Sequence, residues 1–131
     1  MIYIFDTNPV SDVIKKHPIV VAHIREHQQD NILCLCSPIH YEIRRGLLAI
    51  SATVQMRMYE EQVRPLFSWV PLIDDDWEQA AQFWSDARRK GKQLADVDCL
   101  LAAIAVRLNA IIVSADDDFD ALPVNRENWR Q

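Results

Sequence analysis

The chain has 131 residues, half of them hydrophobic, and 14 Lys and Arg against 19 Asp and Glu give a net charge of −5. That size and apolar content predict one domain over residues 1–131 with a layered core, while the acidity excludes a protein that coats nucleic acid by bulk charge, which needs surplus cations to displace counterions. With only Gly46 and Gly91, no glycine-rich phosphate loop is possible, and no run nears the roughly 18 apolar residues of a membrane span, so a soluble, cytoplasmic protein is expected.

Ile2 to Phe5 is an apolar run of strand length, and Asp6 behind it can cap a short helix beginning near Asn8. Pro18 suits the first turn of a helix from Ile19 to Gln29. A second strand is expected at Ile32 to Cys36; its Cys34 and Cys36, with Cys99, lack zinc-site spacing and read as buried free thiols. Ser37 and Pro38 offer a cap and a first-turn proline for a helix from Ile39 to Ile50, and a further helix is expected from about Ala52 to Arg64. Trp69 to Ile73 reads as the third strand. Asp75 or Asp76 can cap a helix to about Lys90, ended by Gly91, with Ala80, Phe83, Trp84 and Ala87 as its buried stripe. Asp96 to Asn109 carries Leu101, Ala102, Ile104, Ala105, Val106 and Leu108, a pattern for a well-buried helix, and Ile111 to Val113 is the fourth strand.

Short, unbroken apolar strands alternating with helices predict an α/β fold with a mostly parallel central sheet, because such strands need cover on both faces. Trp69 and Trp84 fall on apolar stripes and are expected in the core. The stretch from Val10 to Ile24 is richer in apolar residues than one helix pair needs, so part of it is expected to face a partner.

Sites in open parallel sheets form beyond the carboxyl ends of the strands. Asp6 follows the first strand directly, Asp116 follows the fourth by two residues, Asp98 lies in the first turn of a helix, and Glu42 lies about one turn into the helix after the second strand. Gathered carboxylates repel one another unless a cation compensates them, and an all-oxygen set without His or Cys suits Mg²⁺ or Mn²⁺ better than zinc. Such an ion binds phosphate oxygens and makes hydroxide available for in-line attack. Spacing alone leaves other readings open: Asp6 as a cap, Asp96 and Asp98 as rivals for one cap, Glu42 as a solvated charge beside Arg44 and Arg45, and Asp116, Asp117, Asp118 and Asp120 as an exposed acidic loop. Arg88, Arg89, Lys90 and Lys92 form the densest positive cluster, suited with Arg44 and Arg45 to hold RNA phosphates, although cations at a helix end also answer its dipole.

Four segments together resemble the PIN-domain ribonucleases, and within them the VapC toxins of type II toxin-antitoxin pairs. Ile2-Tyr3-Ile4-Phe5-Asp6-Thr7-Asn8 resembles the opening strand and Asp-Thr-Asn, and Tyr41-Glu42-Ile43-Arg44-Arg45-Gly46 resembles the second motif. Asp98-Cys99-Leu100-Leu101-Ala102-Ala103, seven positions after Gly91, is similar to the third, and Val113-Ser114-Ala115-Asp116-Asp117-Asp118-Phe119 to the fourth. The resemblance implies a three-layer α/β/α fold and selects Asp98 over Asp96. It further implies a catalytic set of Asp6, Glu42, Asp98 and Asp116, with Asp6, Asp98 and Asp116 holding Mg²⁺ or Mn²⁺ and Thr7, Asn8 and Ser114 orienting them. Also implied are cleavage of RNA to 3′-hydroxyl and 5′-phosphate ends, inhibition by a VapB-like antitoxin, and a homodimer or toxin-antitoxin hetero-oligomer. The ending from Leu122 to Trp129 is similar to that of the subgroup that cuts initiator tRNA, with a Ser114-to-Phe119 interval one residue short and an Asp where that subgroup often has Asn. Two further readings remain open on the residues: a catalytically silent protein-binding module, and a phosphatase using Asp6, which lacks a second Asp because residue 8 is Asn.

Overall fold

The computed structural model describes residues 1–131. Strand β1 (Ile2–Phe5) is followed by helices α1 (Thr7–Ile14) and α2 (Pro18–His27), β2 (Ile32–Cys36), α3 (Ser37–Ala49) and α4 (Thr53–Met58). A π-helical turn at Tyr59–Val63 and a 3₁₀ turn at Arg64–Leu66 lead to β3 (Ser68–Val70), α5 (Asp74–Arg89), α6 (Asp96–Leu108), β4 (Ile111–Val113) and β5 (Arg126–Glu127). All strands run parallel in the order β3-β2-β1-β4-β5. Tyr3, Ile4 and Phe5 alternate between faces yet all are buried, so helices cover the sheet on both sides and form the expected three layers.

The chain steps from β1 outward to β2 and β3, then returns across the sheet to β4 and β5. The order reverses between β1 and β4, which leaves a crevice beyond their carboxyl ends where Asp6 and the Ser114–Asp116 segment emerge.

Most elements follow from their local chemistry. Pro18 does open α2, and left-handed backbone at Gly91 (φ 81°) and Asn109 (φ 53°) follows α5 and closes α6. Others are corrected. Ser37 is the first residue of α3 rather than its cap, and its hydroxyl accepts from the Leu72 amide at 3.2 Å, tying α3 to the segment after β3. Asp76 sits in the third position of α5 and reaches back to accept from the Ile73 amide at 3.0 Å. The helix expected to Arg64 loses its α register at Tyr59, and Tyr59 and Val63 both turn into the core.

The third strand is shorter than expected and lies at the sheet edge, which leaves Trp69 45% exposed instead of in the core; the Arg64 guanidinium lies over its ring at 5.0 Å. Trp84 packs against the core as expected. From Val10 to Ile24 the apolar surplus is largely absorbed inward, with Val10, Val13, Ile14, Val20 and Ile24 buried and Ile19 left on the surface. All three cysteines are free and buried, and burial pushes the Cys36 thiol up to about 12 and the Cys99 thiol up to about 11, so neither is a nucleophile at neutral pH. No helix is long and apolar enough to cross a membrane.

Candidate metal centre

Asp6 is placed twice over. It is the cap of α1, its Oδ1 accepting from the Thr7 amide at 2.8 Å, and it remains only 5% exposed at the end of the central strand. The capping reading and the site reading are therefore compatible, since one oxygen holds the helix and the other faces the crevice contacts. That second oxygen accepts from the Ser114 hydroxyl at 2.7 Å, while the Asp116 amide donates to the same hydroxyl at 3.0 Å. Asn8 completes the bridge by accepting from the Ala115 amide at 3.1 Å. Thr7 donates its hydroxyl to Glu42, which brings α3 to the same place. Thr7 and Ser114 donate to the Glu42 and Asp6 carboxylates, and the Asn8 side-chain amide lies 3.4 Å from Asp6 Oδ2.

Asp6, Glu42, Asp98 and Asp116 line one open polar depression, together with Thr7, Asn8, Ser11, Asp12, Lys15 and Arg130. Burial, and then the charges of Asp6, Asp116, Glu42 and Asp118, push the Asp98 carboxyl up to about 7. Burial also raises Asp6, against the lowering effect of its Ser114 and Thr7 hydrogen bonds. An acid that resists ionisation among other acids marks negative charge that the protein leaves uncompensated.

One acid escaped sequence reasoning. Carboxylate oxygens of Asp98, Asp116 and Asp118 lie within 4.8 Å of one another, so Asp118 belongs to the cluster although its place in an acidic run suggested an exposed loop. The signal that could have found it is the turn itself: Asp116 caps the short 3₁₀ helix Asp117–Ala121, accepting from the Asp118 amide at 2.9 Å. The Asp12–Arg130 pair, at 2.7 and 3.1 Å, was equally invisible because 118 positions separate the partners.

The positive residues are mostly engaged. Lys92 pairs with Asp118 at 2.8 Å, at the edge of the acids, and Arg45 approaches Glu42 at 3.7 Å. Arg44 is held by Glu60 at 2.7 Å, Arg89 by Asp86 at 2.9 Å, and Arg88 lies over the Trp84 ring at 5.3 Å. Of these, Lys92 and Arg45 touch residues of the acidic group.

Ser114 is the one hydroxyl that touches both the Asp6 side chain and the Asp116 backbone, and it is 1% exposed. Ser114→Ala is expected to lower stability by about 1–2 kcal/mol, the cost of stranding buried polar partners. Thermal melts in EDTA check this, and an unchanged Tm would remove Ser114 from the framework of the site.

The donor set fits a hard divalent cation: oxygen only, several carboxylates, an open side for water and phosphate. The pattern of the family described as PIN domain matches residues 3–125. The VapC ribonuclease Mb1587 of Mycobacterium bovis is 37% identical over 93 residues, covering 69% of this chain and 66% of its own length, so the chain matches just under two thirds of that curated relative. Among solved structures, FitAcB from Neisseria gonorrhoeae superposes with a TM-score of 0.82 at 27% identity, covering 98% of both chains. VapBC2 from Rickettsia felis, bound to a DNA fragment from its promoter, gives 0.85 at 20% identity, covering 98% of this chain and 99% of that one. A pattern matched over nearly its whole length, on a sheet whose order and crevice suit it, means that this chain belongs to the PIN-domain family.

Proposed function

We propose that this chain is a metal-dependent endoribonuclease, acting as the toxin of a type II toxin-antitoxin pair and working as a single domain. One observation carries the reading: four carboxylates from four separate segments line one depression, and the Asp98 carboxyl is pushed up to about 7 there. A catalytically silent binding module has no need of uncompensated acids at a strand-order reversal. The likeness to a VapC ribonuclease, and to complexes of the VapBC kind, supports the same conclusion.

In this reading Asp6, Asp98 and Asp116 hold Mg²⁺ or Mn²⁺, with Asp118 beside Asp98 and Asp116 and with Glu42 lining the same depression. The ion, when bound, supplies charge neutralisation at the phosphodiester and an activated water. Thr7 and Ser114 hold the Glu42 and Asp6 carboxylates in place, and Glu42 is the group left to accept a proton. The substrate is structured RNA, with initiator tRNA among the candidates, and the products carry 3′-hydroxyl and 5′-phosphate ends. A VapB-like antitoxin silences the site, because a guanidinium offers the acids the compensation that the metal otherwise gives.

Purified protein incubated with Mg²⁺ or Mn²⁺ and a panel of structured RNAs tests the proposal, with Asp6→Asn and Asp98→Asn as controls. Cleavage by the parent alone supports it; silence of the parent across the panel favours the binding module. Arg88 and Arg89 carry the phosphate-steering part of the proposal. Their charge reversal together is expected to weaken cleavage and flatten its dependence on salt, and identical salt curves for parent and variant would remove them from the RNA path.

A further inference from the structure

Helix α2 carries a second group of ligating side chains, none of which lines the acidic depression: His23, Glu26 and His27, spaced His-x-x-Glu-His. Residues three and four apart share one helix face. One ring nitrogen of each histidine and one Glu26 carboxylate oxygen all lie within 4.8 Å of one another.

The hydrogen bonds fix where the lone pairs are. His27 Nδ1 lies 2.8 Å from the His23 carbonyl oxygen, which can only accept, so the proton sits on Nδ1 and the lone pair on Nε2. His23 Nε2 likewise donates to the Gln131 carbonyl oxygen at 2.9 Å, which leaves its Nδ1 as an acceptor. That Nδ1 is buried and has no hydrogen-bond partner. Both rings are also held in place: they stack on Trp129 at 5.4 and 4.7 Å, and His27 meets Tyr3 edge-on at 5.3 Å. A ligand thus finds two pre-oriented imidazoles, each with its other N–H bound to a carbonyl, an arrangement that raises ligand basicity and fixes ring direction.

We propose that His23, Glu26 and His27 bind a borderline transition-metal ion of the Zn²⁺ or Ni²⁺ type, separate from the all-oxygen centre. Nitrogen donors select such ions, whereas carboxylate oxygens alone suit Mg²⁺. Metal–nitrogen bonds near 2.1 Å place tetrahedral donors roughly 3.4 Å apart. The exposed Glu26 side chain can swing inward to make up the difference, and water completes the shell. Coordination through Nδ1 of His23 keeps the Gln131 bond as support and gives the orphaned nitrogen a partner. The ion then ties α2 to the chain segment that carries Trp129 and Gln131.

The test titrates the full chain with Ni²⁺ and with Zn²⁺ by calorimetry in excess Mg²⁺, and follows the Trp129 indole N–H by NMR as paramagnetic Ni²⁺ is added. The expected result is one ion per chain, with the Trp129 signal broadened, in both the parent and Asp98→Asn. His27→Gln is expected to weaken binding at least roughly tenfold and to abolish the broadening. Glu26→Gln, at an exposed position that leaves the core untouched, is expected to weaken binding without altering the fold. Equal Ni²⁺ affinity in the parent, His27→Gln and Glu26→Gln, no binding at millimolar ion, or loss of binding only in Asp98→Asn would each overturn the proposal.

Discussion

Asp98→Asn is expected to stop RNA cleavage and, with metal removed, to make the protein more stable. The first effect follows from losing a carboxylate that would hold the ion; removal of a charge-stabilising group of this kind costs on the order of 10²–10³ in rate. The second follows from the raised carboxyl. A carboxyl at about 7 in the folded chain and near 4 in the unfolded one means that, between those pH values, the folded chain keeps a proton the unfolded chain releases. Folding stability therefore declines as pH rises through that window and levels off above it. Asp6, also raised by burial, contributes in the same direction. Asparagine at 98 removes the largest part of this slope, so its Tm in EDTA at pH 8 should exceed the parent's, while at pH 4 the two should nearly coincide. Added Mg²⁺ should raise the parent's Tm and not the variant's. Parallel melting curves for the two proteins across pH, with and without the ion, would rule out a metal-demanding acid cluster.

Asp76→Ala is expected to be the most damaging change outside the site. Asp76 is 1% exposed and does two jobs: it caps α5 through the Ile73 amide, and it accepts Arg107 of α6 in a bidentate pair at 2.9 and 3.0 Å. Arg107 reaches on to the Pro71 carbonyl at 3.2 Å, so the pair locks α5, α6 and the segment before α5 together. Truncation leaves a half-buried guanidinium without its counter-charge and a helix without its cap. The expected loss is about 3 kcal/mol, or roughly 10 °C in Tm for a domain of this length. Urea unfolding measures it directly. Asp76→Asn keeps an oxygen for the Ile73 amide and should lose less; equal losses in the two variants would show that the ion pair, not the cap, dominates.

The order of elements was readable because three strands are apolar throughout, a fourth is apolar past Ser68, and all four sit between helical patterns. The fifth strand, Arg126–Glu127, has no such signature: it contributes backbone pairing at the sheet edge, where the Ser114 amide donates to the Glu127 carbonyl at 3.0 Å, and side-chain polarity is irrelevant to that bond. Trp69 misled for the converse reason, since an apolar run does not reveal that its strand lies at an edge with one side open. Of the site, Asp6, Asp98 and Asp116 were legible from their positions beyond strands or in a first helical turn, and Glu42 chiefly from the motif around it. Asp118 was foreshadowed only by the turn that Asp116 caps, and the Asp12–Arg130 pair depends on how distant residues lie in space, which no local pattern encodes.

The central pairing carries a consequence for synthesis. Strand β1 lies between β2 and β4, and its partners on the β4 side, Ile111 to Val113, are made more than a hundred residues after it. The Asp6–Ser114 bond spans 108 positions in the same way. A ribosome must therefore add more than a hundred residues beyond β1 before the acidic crevice can close, and such distant contacts form late in folding as well. Until then Asp6 and Asp116 lie on unjoined segments, so a nascent chain cannot yet hold one cation between them.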